Sequence, residues 1–207
     1  AEDGIRDRSP SVGSEMCIRD SIPADHSQNL TGIWPKKVVN YKTVMSDAAS
    51  GFTSVTYPFP VIRMADLYLM YAEALNEKGE DYATVLPWID MVRERSGLQG
   101  VKESWDQYVG NSKYATQTGL RQIIMQERRI ELAFEGHYFW DVRRWKTATT
   151  ELTQPLTGWK VRYGETDVDY YSENLVLVRD FTPKMYFWPI DIGELRKDPN
   201  LVQNYGW

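Results

Sequence analysis

The sequence predicts a mainly α-helical protein built of antiparallel helical pairs, with long irregular loops between them. Two observations support this prediction. Apolar residues recur with helical spacing over Val61–Leu75, over Tyr82–Arg95 and in a stretch that starts near Thr118. The segments around them are rich in proline, glycine and polar residues, which are typical of loops. With 207 residues, 42% of them hydrophobic, the chain is long enough to bury a substantial core.

The first two helices are predicted to form a hairpin. Pro60 is typical of a helix start and Gly79 of a helix stop. Apolar residues lie on two sides of the helix between them, so we expect neighbours on both sides. The second helix is predicted from Tyr82 to Arg95. Because the connection Glu77–Asp81 is short, the two helices are expected to be antiparallel neighbours.

The rest of the chain is predicted to be less regular, and Gly100–Gly119 is expected to be a long polar loop. Stacked helical hairpins resemble tetratricopeptide-type solenoids in architecture, although no strict repeat of about 34 residues is visible. The shorter predicted elements are a third helix from near Thr118, a fourth helix over Tyr138–Lys146, strands near Lys37–Val44 and Leu175–Val178, and a helical turn at Ile192–Arg196.

The composition argues against two classes of partner. The formal net charge is −5 and there is no basic stripe, which excludes a nucleic-acid partner as the working hypothesis. No run of about eighteen apolar residues is present that would span a membrane.

Aromatic residues make up 13% of the chain, which is more than a core needs. Exposed planar rings are the groups on which sugar rings and protein partners stack.

One stretch, ERRIELAFEGHYFWDVRRW, combines charged and aromatic residues from Glu127 to Trp145. Glu127, Glu131 and Glu135 lie four residues apart on one helix face, which fits ion pairs with nearby arginines better than the carboxylate pair of a glycosidase. His137 has no second histidine close by, so no metal site is predicted. We favour a third interpretation, a frame in which arginine stems lie along buried rings and acids neutralise the arginines.

The frame interpretation gives specific expectations. Arg128 is expected to pair with Glu131, and Asp141 with Arg144, each at a spacing of three residues. The large rings are expected to be buried, and so are the tryptophans of the neighbouring motifs. These aromatic residues are Phe134, Phe139, Trp140, Trp145, Trp88 and Trp188.

Four segments resemble the motifs of the SusD/RagB family, in the order in which that family has them. Glu127–Trp145 resembles its ERR-x-EL-x-x-EG-x-R-x-x-D-L-x-R-W segment, and Pro60–Gly79 resembles its RxADxxLxxAEAxN helix. Ile89–Leu98 is similar to its VRxRAGL segment, and Phe187–Trp207 to its C-terminal WPIP signature. The chain departs from these motifs at Tyr138, Asp191 and Tyr205.

This resemblance implies a fold and a function. Family members are non-enzymatic surface lipoproteins of the outer membrane, with a SusD-like fold of tetratricopeptide-like helical pairs. They bind glycans or other large nutrients without a cofactor, and each covers a SusC-like TonB-dependent transporter. The resemblance implies that this chain is the C-terminal portion, truncated at its N-terminus. Contact with the membrane would be made only through a lipid anchor that is missing from this chain.

The first 21 residues are interpreted separately from the rest. They repeat Ile-Arg-Asp at Ile5–Asp7 and Ile18–Asp20, and Val12–Ser21 resembles a translated sequencing adapter. We interpret residues 1–21 as such an artefact, or alternatively as a disordered tail. Residues 22–207 are predicted to be the C-terminal portion of a SusD/RagB-like domain. Cys17 lies in the first segment and lacks the apolar residues that precede a lipidated cysteine.

Exposed loop aromatics are the candidate ligand-binding residues. They are Trp34 and Tyr41 before the first helix, and Trp105 and Tyr108 in the predicted long loop. The alternative for each is that the ring only holds its loop to the body of the protein. Two other functions stay open: a helical scaffold that binds protein alone, and a glycoside hydrolase with a carboxylate pair across a cleft.

Overall fold

A computed structural model describes residues 37, 40, 42–45, 52–53, 55–56, 58–160 and 166–207. These residues form two compact units, the first ending at Tyr138 and the second running from Phe139 to Trp207. Helices predominate, as the sequence predicts. Within the described residues, no helix has both the length and the apolar character needed to cross a membrane.

The first unit is built on three long helices and shorter elements between them. Helix α1 packs against α2 and α4, and the two short strands pair antiparallel with Val44 opposite Thr53. The elements in chain order are β1 (Val44–Met45), β2 (Phe52–Thr53), α1 (Met64–Lys78), α2 (Tyr82–Arg95), α3 (Val101–Ser104), a π-helix (Trp105–Val109), a 3-10 turn (Lys113–Ala115) and α4 (Gln117–Glu131). Helix α5 (His137–Arg144) begins at the end of this unit and continues into the second.

Local interactions set the ends of the long helices. The Asp81 side chain accepts a hydrogen bond from the Thr84 backbone N–H at the start of α2, and Thr116 does the same for Gly119 at the start of α4. Gly79 ends α1 in the left-handed region, with φ of 89°. The helix start indicated by Pro60 is wrong, because Arg63 still has an extended backbone and the helix begins at Met64.

The core of the first unit lies where α1, α2 and α4 meet. Most of its buried apolar side chains come from the predicted helices, and Val101 and Tyr114 come from the segment predicted to be a loop. The buried apolar side chains of this core are Ala65, Leu69, Ala72, Val85, Leu86, Ile89, Val92, Val101, Tyr114, Leu120, Ile123 and Ile124. Other apolar residues on α1 and just before it are exposed: Val61, Ile62, Met64, Leu67, Met70 and Tyr71.

The expectation of a polar loop over Gly100–Gly119 is wrong, because this segment contains α3, the π-helix and the 3-10 turn. A distant carboxylate fixes the start of α3, where Asp90 Oδ1 accepts the Val101 N–H at 2.7 Å. Burial raises the pKa of this Asp90 carboxyl group. The capping group comes from another helix, so the local sequence of the segment gives no signal of it.

The second unit is smaller and contains more irregular backbone. Strands β3 and β4 pair antiparallel, with Leu156 opposite Leu177 and Trp159 opposite Glu173. Strand β4 corresponds to the predicted strand, and the last helix to the predicted helical turn. The elements after α5 are α6 (Ala148–Glu151), β3 (Leu156–Trp159), α7 (Asp167–Tyr170), β4 (Glu173–Leu177), a 3-10 turn (Pro183–Tyr186) and α8 (Ile192–Lys197).

Candidate functional site

Buried ion pairs connect the charged stretch to other helices of the first unit. Arg93 Nη1 on α2 donates to Glu127 Oε1 on α4 at 2.6 Å, and both side chains are buried. Arg128 Nη1 donates to Asp66 Oδ1 on α1 at 2.9 Å. The expected pair between Arg128 and Glu131 is therefore wrong. The structure pairs Arg128 with an acid 62 residues away because packing brings α1 and α4 together.

The other two glutamates of the stretch form a second ion-pair cluster. Glu131 Oε1 accepts hydrogen bonds from Arg63 Nη1 at 2.5 Å and from Arg95 Nη2 at 2.6 Å. Glu135 accepts from Arg63 Nε at 2.6 Å and pairs with Lys37 Nζ at 2.5 Å. The cluster thus joins the start of α1, the end of α2 and Lys37 to the end of α4 and the turn after it.

The electrostatics of this cluster favour a structural role over acid–base chemistry. Burial alone would raise the pKa of Glu135, but hydrogen bonds from Arg63 and Lys37 outweigh it and hold this pKa below its usual value. A general acid needs the opposite shift, towards neutral pH. The frame interpretation is confirmed for these carboxylates, since Glu127, Glu131 and Glu135 all pair with basic side chains.

The second unit contains the last predicted ion pair of the frame, that of Asp141 and Arg144. His137 is the first residue of α5. Arg144 Nε donates to Asp141 Oδ1 at 2.8 Å, which confirms the expected pair. In the first unit, Arg129 Nη2 donates to the Tyr138 hydroxyl at 2.6 Å and stacks on its ring, so the tyrosine that departs from the family motif has a partner of its own. Among the described residues no group of three or more His, Cys, Asp and Glu is placed to hold a metal ion.

Several aromatic residues expected in the core are exposed instead. Phe134 is 62% exposed, Trp140 61% and Trp188 67%. Phe134 lies after the end of α4, in a turn where its φ is 65°, so it does not continue the apolar face of that helix. Trp88 agrees with the expectation, since it is partly buried and packs against the core. Phe139 is also partly exposed, and Trp145 is half-buried.

Of the four predicted ligand-binding residues, Trp34 and Tyr41 lie outside the described residues. Trp105 and Tyr108 lie in the π-helix that continues α3. Trp105 is partly buried and packs against the core of the first unit, and Lys113 Nζ lies 5.2 Å from its ring centroid. This geometry is that of a ring that holds the segment in place.

Tyr108 has the opposite environment, because its side chain is 58% exposed. The π-helix ends at Gly110, whose N–H donates to Trp105 O at 2.9 Å and whose φ of 70° suits glycine. Short π-helical turns are frequent at functional sites. The Trp105 ring thus packs against the core, and the Tyr108 ring is exposed to solvent.

Polar contacts hold the segment that presents Tyr108. Asp106 accepts hydrogen bonds from Lys102 Nζ at 2.6 Å and from the Tyr114 hydroxyl at 2.8 Å. The hydrogen bond from Lys102, followed by that from Tyr114, lowers the pKa of Asp106. The Tyr114 ring itself is buried in the core. The Tyr108 side chain is therefore displayed from an ordered element, which reduces the entropy that binding would cost.

The fold and the ion pairs define a tetratricopeptide-like helical scaffold that displays aromatic side chains from short irregular elements. The model of the SusD family matches residues 18–207 of this sequence. The chain belongs to the SusD family.

Two solved structures have a similar fold. BT4246 superposes with a TM-score of 0.73 at 27% identity, over 86% of this chain and 28% of that protein. A SusD-like carbohydrate-binding protein from Bacteroides fragilis superposes with a TM-score of 0.59 at 30% identity, over 83% of this chain and 33% of that protein.

A curated relative gives the same assignment. SusD-like protein P25 of Formosa agariphila is 39% identical over 144 residues, which are 70% of this chain and 23% of the relative. A second relative, SusD-like protein P38 of the same organism, is 28% identical, and the match spans 24% of its length. The chain thus spans about a quarter of the length of these relatives.

Proposed function

We propose that this chain serves in a non-enzymatic protein that captures glycans at the cell surface and delivers them to a SusC-like TonB-dependent transporter. The protein would be held in the outer membrane by a lipid anchor. Membership of the SusD family is the observation that supports this proposal most directly. A relative of known structure, 30% identical to this chain, is named as a carbohydrate-binding protein.

Tyr108 is the described residue best suited to contact a glycan. Its ring is exposed. The segment that carries it is held by the packing of Trp105 against the core and by the hydrogen bond between Asp106 and Tyr114. A flat sugar face stacks on such a ring, and the adjacent side chains of Asp106 and Gln107 are exposed and able to hydrogen-bond hydroxyl groups. Trp105 acts in the proposal as a support for this segment, and Trp34 and Tyr41 stay predicted contacts.

Affinity electrophoresis of the full chain tests the proposal. The protein is run through gels that contain a neutral or an acidic polysaccharide, and retardation is compared for the wild type, Tyr108→Ala and Tyr205→Ala. Tyr205 is a matched control because it is also an exposed tyrosine but lies in the C-terminal tail. We expect at least one polysaccharide to retard the wild type, with an affinity about tenfold lower for Tyr108→Ala only.

The alternatives give different results in the same experiment. A scaffold that binds only protein would migrate equally in every gel. A glycoside hydrolase would release reducing sugar from the polysaccharide that retards it, and an acid-to-amide substitution would abolish the release. Trp105→Ala does not discriminate between these functions, because loss of its packing against the core is expected to destabilise the unit as well.

A further inference from the structure

Three aromatic rings of the second unit contact one another. The Tyr171 ring lies 5.3 Å from that of Trp159 at the end of β3, and 5.1 Å from that of Tyr170. Both contacts are close to perpendicular, at 83° and 81°. Tyr170 is buried and Trp159 is half-buried, whereas Tyr171 is 51% exposed. Two less exposed rings thus fix the orientation of Tyr171, and about half of its own surface faces solvent.

The strand register places Trp159 on an exposed face of the two-stranded sheet of β3 and β4. Trp159 is opposite Glu173, and Thr157 is opposite Leu175. Directly opposed residues of an antiparallel pair lie on one face, and so do residues two apart on a strand. The other three side chains of this face, those of Thr157, Glu173 and Leu175, are exposed. The Trp159 ring and the Tyr171 ring that contacts it therefore lie beside side chains that face solvent.

Backbone hydrogen bonds hold the segment that carries Tyr171. The Lys160 N–H donates to Tyr170 O at 3.1 Å and to Ser172 O at 3.2 Å, so the residues on both sides of Tyr171 are bonded to the end of β3. The Tyr171 N–H itself donates to Asp167 O at 3.1 Å, at the start of α7. The ring is therefore displayed from ordered backbone, which reduces the entropy that binding would cost.

Most of the described charged residues that flank the two rings in the chain are acidic. Asp167, Asp169 and Glu173 lie within four residues of Tyr171 and are exposed, whereas Lys160 follows Trp159. Among the described residues Glu173 has no ion-pair partner, so its oxygens can accept other hydrogen bonds. Carboxylates accept hydrogen bonds from hydroxyl groups but repel other anions. These surroundings favour a ligand that is uncharged and rich in hydroxyl groups.

We propose that Trp159, Tyr171 and Glu173 form a second contact surface for a glycan and that this surface takes uncharged sugars. The inference rests on the proposed function, and it adds a binding surface in the second unit to that of Tyr108 in the first. The apolar face of a sugar stacks on the exposed ring of Tyr171, which Trp159 supports. The Glu173 carboxylate accepts hydrogen bonds from the hydroxyl groups at the edge of the sugar.

A purely structural role for the rings leads to different predictions. Packing requires the contacts of Tyr171 with Trp159 and Tyr170, but it does not require the exposed carboxylate of Glu173. Glu173→Ala separates the two roles, because loss of an exposed carboxylate should leave the melting temperature unchanged. Tyr171→Phe provides a second separation, since it keeps the ring and its contacts and removes only the hydroxyl group.

Affinity electrophoresis of the full chain tests the second contact surface. Amylopectin, xyloglucan and galactomannan are uncharged polysaccharides, and polygalacturonate carries carboxylates. Retardation is compared for the wild type, Tyr171→Ala, Tyr171→Phe and Glu173→Ala, with Tyr108→Ala run in parallel. Tyr205→Ala is the matched control, because Tyr205 is another exposed tyrosine of the second unit. The melting temperature of each variant is also measured.

We expect at least one uncharged polysaccharide to retard the wild type. In that gel the affinity should be about threefold to tenfold lower for Tyr171→Ala and about twofold to fivefold lower for Glu173→Ala. Tyr171→Phe and Tyr205→Ala should migrate like the wild type. In polygalacturonate, Tyr171→Ala should also migrate like the wild type, since the acidic surroundings disfavour an anionic ligand.

The proposal is overturned if no uncharged polysaccharide retards the wild type, or if Tyr171→Ala and the wild type are retarded equally. It is also overturned if retardation by polygalacturonate depends on Tyr171. A lower melting temperature for Tyr171→Ala, with unchanged affinity for Glu173→Ala, would give the rings a structural role and reject the surface. Loss of affinity in Tyr108→Ala alone would support the proposed function and reject the second contact surface. Loss in Tyr171→Ala and Glu173→Ala alone would support the second surface and reject Tyr108 as a contact.

Discussion

Arginine residues have different surroundings in the two units of this protein. In the described part of the first unit, every buried or half-buried arginine is paired with a carboxylate: Arg63, Arg93, Arg121 and Arg128. Among the described residues of the second unit, Arg143 and Arg179 are half-buried without such a partner, and Arg143 lies against rings. Paired arginines hold helices together, whereas Arg143 is held by ring contacts instead of an opposite charge. The difference predicts that substitutions in the two units have different consequences.

The largest effect is expected from the buried pair of Arg128 and Asp66. Arg128→Met leaves the Asp66 carboxylate buried without that partner, so we expect a loss of about 3–5 kcal/mol in the free energy of unfolding. Denaturant titration measures it. The double variant Asp66→Leu, Arg128→Met removes both charges and should recover much of the loss. A loss below about 1 kcal/mol for the single variant would mean that the pair does not stabilise the first unit.

An intermediate effect, dependent on pH, is expected from Glu135. Its pKa in the folded protein is lowered, so its contribution to stability is present above the pKa of the unfolded chain and is lost as pH falls through the folded value. Glu135→Gln should cost about 1–3 kcal/mol at neutral pH. It should also reduce the decline in stability that the wild type shows between about pH 5 and pH 3.

Thermal unfolding across this pH range checks the prediction for Glu135. Glu194→Gln is the control, because Glu194 is an exposed carboxylate paired with Lys197. An unchanged pH profile in Glu135→Gln would show that the cluster with Arg63 and Lys37 does not couple folding to protonation.

A small effect on stability is expected from Arg143→Met. The substitution removes a cation–π contact but also relieves the burial of an unpaired charge, so the free energy of unfolding should stay within about 1 kcal/mol of the wild type in the absence of ligand. Comparison with Arg128→Met under identical conditions tests the difference between the units directly. A loss of stability as large as that of Arg128→Met would show that the arginines of the two units do not differ in this way.

The smallest effect is expected from Arg121, which lies at the surface of the first unit. Its Nη2 donates to Glu77 Oε2 at 2.6 Å, and the hydrogen bond from Arg121 lowers the pKa of Glu77. Because Glu77 is exposed and Arg121 only half-buried, solvent screens the pair, so Arg121→Ala should cost about 0.2–1 kcal/mol, and high salt should reduce that cost further. A cost that is larger and independent of salt would show that this pair is not screened.

The predictions for the candidate site had mixed outcomes for a common reason. The sequence indicates that Glu127, Glu131 and Glu135 belong to an ion-pair frame, because acids and arginines alternate along one segment. It assigns the wrong partner to Arg128, since the true partner Asp66 is distant in the chain. It also places Trp140 and Phe134 in the core, where the structure exposes them. The buried donors of Arg143 and Arg179 that lack a partner among the described residues have no sequence signal, because such a lack depends on neighbours in space.

The sequence by itself determined the long helices, their order and several of their ends. Asp81, Thr116 and Gly79 act on backbone groups within a few residues, so local chemistry is sufficient. Tertiary structure alone decided which acids neutralise Arg93 and Arg128. It also decided that Asp90 caps α3, and that Tyr108 faces solvent while Trp105 faces the core. These outcomes depend on groups that only packing brings together. The spacing of residues along the chain does not give the distances between such groups in space.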